Sequence, residues 1–200
     1  MQIKKEEVKI AIMESGTREF LDNGFKKASL RKIVKDAGTT TGNFYNYFRN
    51  KEALFEELII GDYNRFLYFI NNHDKMNKPD FLYNLSNPSI WNQMISEVID
   101  DIIPNFNNGL VLLLDASEGT KYEGVKDELI ILMEEHFNEH LDKANNSTIS
   151  KEMGKIIATQ IIDGIILIVR NNKGLELQQR LIRELIMFYI IGSMGIMGEL

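Results

Sequence analysis

A chain of 200 residues with 44% hydrophobic content and no cysteine is long enough to bury a core, and it has neither disulfides nor thiolate metal ligands to offer. Its longest uncharged stretch, Leu185 to Gly198, is 14 residues and holds three glycines, short of the roughly 20 apolar residues of a membrane span. With charges throughout "MQIKKEEVKI" in place of an apolar secretory stretch, no membrane partner and a cytoplasmic location are expected, and the formal net charge of −6 argues against a polyanionic partner for the chain as a whole.

Only three prolines interrupt apolar residues that recur at helical spacing, which predicts an all-α protein. The first helix, from about Lys4 to Asn23, aligns Val8, Ile12, Gly16 and Phe20 on one face and stops at Asn23–Gly24. Gly16 within it costs about 1 kcal/mol relative to alanine, which points to a close helix contact there. A second helix runs from Leu30 to Asp36, with Ser29 as its N-cap and Gly38 beyond its end. The third spans Thr41 to Phe48 behind Thr40. Asn50 caps a fourth, Lys51 to Asn72, with Phe55, Ile59, Tyr63, Phe66 and Ile70 as an inward stripe. Further helices are expected at Phe81 to Leu85, Ser89 to Ile103, Asn105 to Ser117, Lys121 to Asn145, Ile149 to Asn171 and Glu176 to Met197.

Charge is unevenly distributed over these elements. Between Gly24 and Lys51 there are seven cations (Lys26, Lys27, Arg31, Lys32, Lys35, Arg49, Lys51) against one anion, Asp36, a local +6 that leaves −12 for the remainder. Such a segment fits an electrostatic footprint on a polyanion, and on charge alone it fits a solvated basic face equally well. The geometry of the same segment is more informative. Two short helices joined around Gly38 form a helix-turn-helix, whose second helix is free to enter a major groove. Phe44 and Phe48, at i and i+4, pin that helix inward. Its other face carries Thr41, Gly42, Asn43, Tyr45, Asn46 and Arg49, groups suited to base edges and phosphate oxygens.

Taken in order, "IVKDAGTTTGNFYNYFRNKEALF" resembles the helix-turn-helix of the tetracycline-repressor (TetR) family of bacterial regulators. The likeness rests on Ile33, Ala37, Gly38, Thr40, Gly42, Phe44, Tyr45, Tyr47, Phe48, Lys51, Glu52 and Leu54, with Phe20, Gly24, Phe25, Ser29 and Leu30 upstream. It covers about the first quarter of the chain. Departures are Thr39 for a common valine, Thr40 for serine, and Ser15–Gly16 for a pair of alanines. The resemblance implies an N-terminal three-helix DNA-binding domain over residues 1–50 and a helical effector-binding and dimerisation domain over 51–200, about nine helices in all. It further implies that Ser29 and Thr40 meet phosphates at helix starts, that Thr41, Gly42 and Asn43 meet the groove, that Tyr45 and Asn46 reach bases or backbone, and that Tyr47 and Lys51 clamp phosphates. The function implied is a ligand-responsive regulator, a repressor on a palindromic double-stranded operator, released by a small and largely apolar effector.

The last two helices are apolar on more than one side, which favours a homodimer over packing against the chain's own middle helices; Ile157, Ile161, Ile165, Leu181, Leu185, Phe188 and Tyr189 are the candidate contacts. The resemblance implies the same, a four-helix bundle shared by two subunits. In the middle segment Trp91, Met94, Ile95, Val98, Leu113, Tyr122 and Met133 are candidate pocket-lining residues, and a plain core would present the same pattern. In "EEHFNEH", His136 and His140 sit at i and i+4, a spacing able to hold a metal, but the general base and third ligand of a metalloenzyme site are missing. No phosphate loop, nucleophile elbow or cofactor fingerprint occurs, so neither an enzyme nor a cofactor is expected. The competing readings are a DNA-binding regulator without an effector and, further off, a helical metal-dependent enzyme using His136 and His140.

Overall fold

The computed structural model describes residues 2–72, 106–143, 150–172 and 174–197. These form eight helices: α1 (Gln2–Lys27), α2 (Leu30–Asp36), α3 (Thr41–Phe44), α4 (Lys51–Asn72), α5 (Asn108–Asp115), α6 (Val125–Lys143), α7 (Glu152–Asn171) and α8 (Leu175–Met197). The all-α expectation therefore holds, with no strand among the described residues. The helices expected at Phe81 to Leu85 and Ser89 to Ile103 lie outside them. Among the described residues no helix is long and apolar enough to cross a membrane. The chain divides into two compact units, Met1–Leu67 with Asn107–Lys126, and Tyr68–Phe106 with Asp127–Leu200.

The first unit is built on the inward face of α1. Ile12 and Phe20 are fully buried, as are Leu54, Phe55 and Ile59 on α4, and each such burial contributes about 1.5–3 kcal/mol. A side chain at Gly16 would place its Cβ 2.8 Å from Leu54 Cδ2, so the glycine is where α1 and α4 touch. The predicted stop at Gly24 is a sharp break, with φ 70° and ψ 161°, after which one further turn runs to Lys27. Just past the break, Phe25 turns inward: its ring stacks on Phe20 at 5.9 Å and meets Phe55 edge-on at 5.3 Å. Its N–H donates to the Ala116 carbonyl at 2.8 Å.

α5 supplies the rest of this core. Asn107 caps it, accepting from the N–H groups of Gly109 (2.8 Å) and Leu110 (3.2 Å), and Val111, Leu112, Leu113 and Leu114 are all buried. A helix apolar on every side must be enclosed. The segment after it is a loop closed on itself, with Thr120 Oγ1 donating to the Ser117 carbonyl (2.7 Å) and Ser117 Oγ donating to the Tyr122 carbonyl (3.2 Å). This closure delays the start of α6 from the expected Lys121 to Val125. α3 is also shorter than expected. It ends at Phe44 rather than Phe48, because Asn46 and Tyr47 donate to carbonyls three residues back, at 3.1 and 2.9 Å. This tighter winding still returns Phe48, 4% exposed, to the core beside Phe44.

In the second unit α7 and α8 run antiparallel along each other. Gly164 lies against Leu185, where a Cβ would come within 2.9 Å of its Cδ2, and Tyr189 donates to Gln160 Oε1 at 3.3 Å. Ala158, Ile162, Ile165, Ile166 and Val169 on α7 and Ile182 on α8 form the buried seam. Gln178 Nε2 closes the turn between them on the carbonyls of Val169 and Asn172.

Candidate nucleic-acid interface

Both helices of the helix-turn-helix begin on side-chain caps. Ser29 Oγ accepts from the Lys32 N–H (3.3 Å) and Thr40 Oγ1 from the Asn43 N–H (3.2 Å). Each hydroxyl satisfies a donor left over at a helix start and keeps its own hydrogen to donate outward. Between the helices Gly38 takes φ 65°, a left-handed conformation that side chains disfavour, and Thr39 N–H closes the turn on the Val34 carbonyl at 2.9 Å. Asn50 Oδ1 then accepts from the Ala53 N–H at 2.8 Å and starts α4.

The frame is further held by Glu19, a carboxylate only 3% exposed. Its Oε1 accepts from the Ser29 N–H (3.0 Å) and its Oε2 from Lys32 Nζ (2.5 Å), so α1 fixes the first turn of α2. Burial pushes the Glu19 pKa up, but the hydrogen bonds from Lys32 and Ser29 and the charge of Lys32 outweigh it and hold the carboxyl below its ordinary value. Ser15 Oγ adds a bond to the Ile33 carbonyl at 2.9 Å.

Set on this frame, the predicted reading residues point outward. Phe44 is fully buried, while Thr41, Gly42 and Asn46 are exposed, Tyr45 is 55% exposed, and Asn43 and Tyr47 are half-buried. Ser29 and Thr40 are exposed at their helix starts, and Lys27, Arg31, Lys35 and Arg49 are exposed around them. The structure therefore brings Thr40, Thr41, Gly42, Asn43, Tyr45 and Asn46 together on one short helix, its N-cap and the turn that follows it.

Lys51 has a role that spacing does not reveal. Its ammonium donates to the carbonyls of Phe25 (2.6 Å) and Ala28 (3.0 Å) and lies 4.4 Å from the centroid of the Phe25 ring. It thus caps the broken end of α1 and ties it to the start of α4, and burial holds its pKa below the ordinary value. One of its three hydrogens remains to be directed elsewhere. Thr39, noted in the sequence only as a departure from a common valine, accepts through its hydroxyl from Asn43 Nδ2 at 2.8 Å. The only trace in the sequence is a threonine four residues before an asparagine.

Of the candidate pocket residues, Trp91, Met94, Ile95 and Val98 lie outside the described residues. Leu113 is fully buried in the first unit. Tyr122 is buried there too, with its hydroxyl donating to Glu56 Oε1 at 2.8 Å; Met133 is half-buried in the second unit. Of the candidate dimer residues, Ile165 is buried against its own unit, Ile157, Ile161, Leu181, Leu185 and Tyr189 are half-buried, and Phe188 is 73% exposed. Leu167, Ile156 and Ile191 are exposed as well. His136 is exposed on α6, the His140 side chain lies outside the description, and among the described residues no three His, Cys, Asp or Glu side chains converge as metal ligands.

A capped helix-turn-helix whose second helix exposes amide, phenol and hydroxyl groups amid cations has the construction of a major-groove reader. Residues 12–58 match the family model described as "Bacterial regulatory proteins, tetR family". These residues, about a quarter of the chain, carry the DNA-binding region that this family model describes. Over 65 residues it is 40% identical to the uncharacterized HTH-type transcriptional regulator YdgC of Bacillus subtilis (strain 168), covering 32% of this chain and 33% of that protein. Over 67 residues it is 33% identical to the HTH-type transcriptional regulator UidR of Escherichia coli (strain K12), 34% of each. The matched stretch thus spans about a third of the length of these curated relatives. Among solved structures, native NalD, the secondary repressor of the MexAB-OprM multidrug efflux pump in Pseudomonas aeruginosa, is similar with a TM-score of 0.44 at 17% identity, covering 92% of this chain and 96% of that one.

Proposed function

We propose that this protein is a DNA-binding transcriptional regulator acting as a homodimer, a repressor that occupies a palindromic operator and leaves it when a small, largely apolar effector binds. The observation that carries the DNA-binding part is the outward face of α3, fixed by Thr40 below and by Phe44 and Phe48 behind. Residues 1–50 would read DNA, and residues 51–200 would bind effector and pair subunits. Thr41, Gly42 and Asn43 approach the groove and Tyr45 and Asn46 reach base edges or backbone. Ser29, Thr40, Tyr47 and the remaining hydrogen of Lys51 meet phosphates.

Pairing is supported by the apolar side chains that α7 and α8 leave in solvent, with Leu167 60% and Phe188 73% exposed. A twofold pair presents two reading helices to half-sites about one duplex turn apart. The repressor and effector assignments rest on the family resemblance. For an effector to act, it must bind the DNA-competent and DNA-incompetent states unequally. α4 is a suitable transmitter: its start is joined to α1 through Lys51, and its second turn is held by Lys121 and Tyr122, which both donate to Glu56 Oε1, at 2.7 and 2.8 Å.

Gel retardation and fluorescence anisotropy on the DNA upstream of the protein's own gene test this reading. Retention of one palindrome over competitor DNA is expected, with Asn43→Ala and Tyr45→Ala each reducing that preference about tenfold. A protein that retains no duplex even in dilute buffer refutes it. An affinity unaltered by every apolar compound screened, at saturation, removes the effector and leaves a constitutive regulator.

A further inference from the structure

We infer that Thr39 sets the base preference of α3, as a positioning residue acting through a hydrogen-bonded row that runs from Thr39 through Asn43 to Asn46. The inference rests on the reading of α3 as a DNA-reading helix. Asn43 Nδ2 donates to Thr39 Oγ1 at 2.8 Å, and Asn46 Nδ2 donates to Asn43 Oδ1 at 3.0 Å. The row is anchored at its base, because Thr39 N–H is bonded to the Val34 carbonyl at 2.9 Å and Asn43 N–H to Thr40 Oγ1 at 3.2 Å.

A carboxamide has two donor hydrogens and an oxygen with two lone pairs. An exposed asparagine rotates and can offer either end to a base. Here the Asn43 amide is held at both ends, which fixes its plane, with Nδ2 toward Thr39 and Oδ1 toward Asn46. It retains one hydrogen and one lone pair for a partner. Asn46 then presents its whole carbonyl oxygen and its second hydrogen, and Thr39 keeps a hydroxyl hydrogen to donate. The outward pattern is thus ordered along the helix, with a hydroxyl donor at the Thr39 end and an amide acceptor at the Asn46 end. Base pairs in the major groove differ in just such donor and acceptor order. Without the Thr39 oxygen the row has no fixed end, and both amides are free to turn.

The test compares full-length wild type, Thr39→Val and Thr39→Ser. Valine keeps the branched shape and removes the oxygen; serine keeps the oxygen. Each protein is used to select from a randomised duplex library of roughly two helical turns, and its affinity is then measured on the selected sequence and on that sequence's single-pair variants. For Thr39→Val the expected result is an unchanged melting temperature, non-specific affinity within about twofold of wild type, and discrimination at one or two pairs per half-site reduced about 3- to 10-fold. Thr39→Ser restores the discrimination. The inference is overturned if Thr39→Val selects the same sequences with the same discrimination, or if it weakens all duplexes equally and serine fails to restore selectivity. Wild type that selects no sequence overturns the underlying DNA-reading assignment as well, which separates the two failures.

Discussion

Replacing Glu19 with glutamine probes how α1 positions the helix-turn-helix. Glutamine keeps the volume and an oxygen able to accept from the Ser29 N–H, but it loses the charge that meets Lys32 Nζ. Hydrogen bonds to charged groups contribute about 1.5–3 kcal/mol. The Lys32 side chain is 53% exposed, so its ammonium rehydrates when released and the cost lies toward the low end, about 1–2 kcal/mol. In a chain of this size that lowers the melting temperature by about 3–6 °C. The pH dependence gives an independent check. The folded-state pKa of Glu19 lies below its ordinary value of 4.5, so the unfolded chain takes up the proton first. The stabilisation is complete above that value and is lost as pH falls through the folded pKa. Thermal unfolding followed by circular dichroism at pH 7 and at successively lower pH should show a gap between wild type and Glu19→Gln that is full at pH 7 and closes in acid. Hydrogen exchange of the α2 amides should accelerate in the variant at pH 7. A gap of equal size across the whole range, or no gap at pH 7, refutes the ion pair as the tie between α1 and α2.

Lys51→Ala should lower both stability, by about 1–3 kcal/mol through the uncapped Phe25 and Ala28 carbonyls, and affinity for every duplex, with a log-log salt slope shallower by about 0.9. An unchanged melting temperature counts against the carbonyl cap, and an unchanged slope against the phosphate contact. Gly109→Ala should destabilise by about 1–3 kcal/mol or more, because its Cβ would collide with Oδ2 of the buried Asp62 carboxylate. Gly42→Ala, whose nearest neighbour would be Thr40 Oγ1 at 4.0 Å, should leave the fold intact or stabilise it by up to about 1 kcal/mol; equal melting shifts for the two glycines dispose of the packing argument. Phe188→Asp should yield a folded monomer in sedimentation velocity, and a variant that sediments like wild type excludes Phe188 from the subunit contact.

Much of the reading head was legible in the residues because its determinants are local. Ser29, Thr40 and Asn50 cap the helices that follow them, and Gly24 and Gly38 interrupt the backbone where the spacing indicated. Each of these is a bond or a torsion within a few residues. The end of α3 was misjudged because the choice between winding to Phe48 and tightening after Phe44 is nearly neutral locally and is decided by where Phe48 finds its core contacts. The link from Thr39 to Asn43 was not legible for a related reason: a threonine beside a turn is ordinary, and only the side-chain rotamers join the two.

The sequence by itself determined that this chain is helical and that residues 24–51 form a basic helix-turn-helix, since capping, propensity and charge act over one or two turns. Only the tertiary structure decided that Lys51 serves carbonyls at and just past the end of α1 from 23 and 26 residues away, that Glu56 receives Lys121 and Tyr122 from 65 and 66 residues away, and which apolar side chains of α7 and α8 remain in solvent. Those outcomes depend on which helices approach one another. Such approaches are settled by the summed burial of many side chains, a quantity that no single stretch of the chain contains.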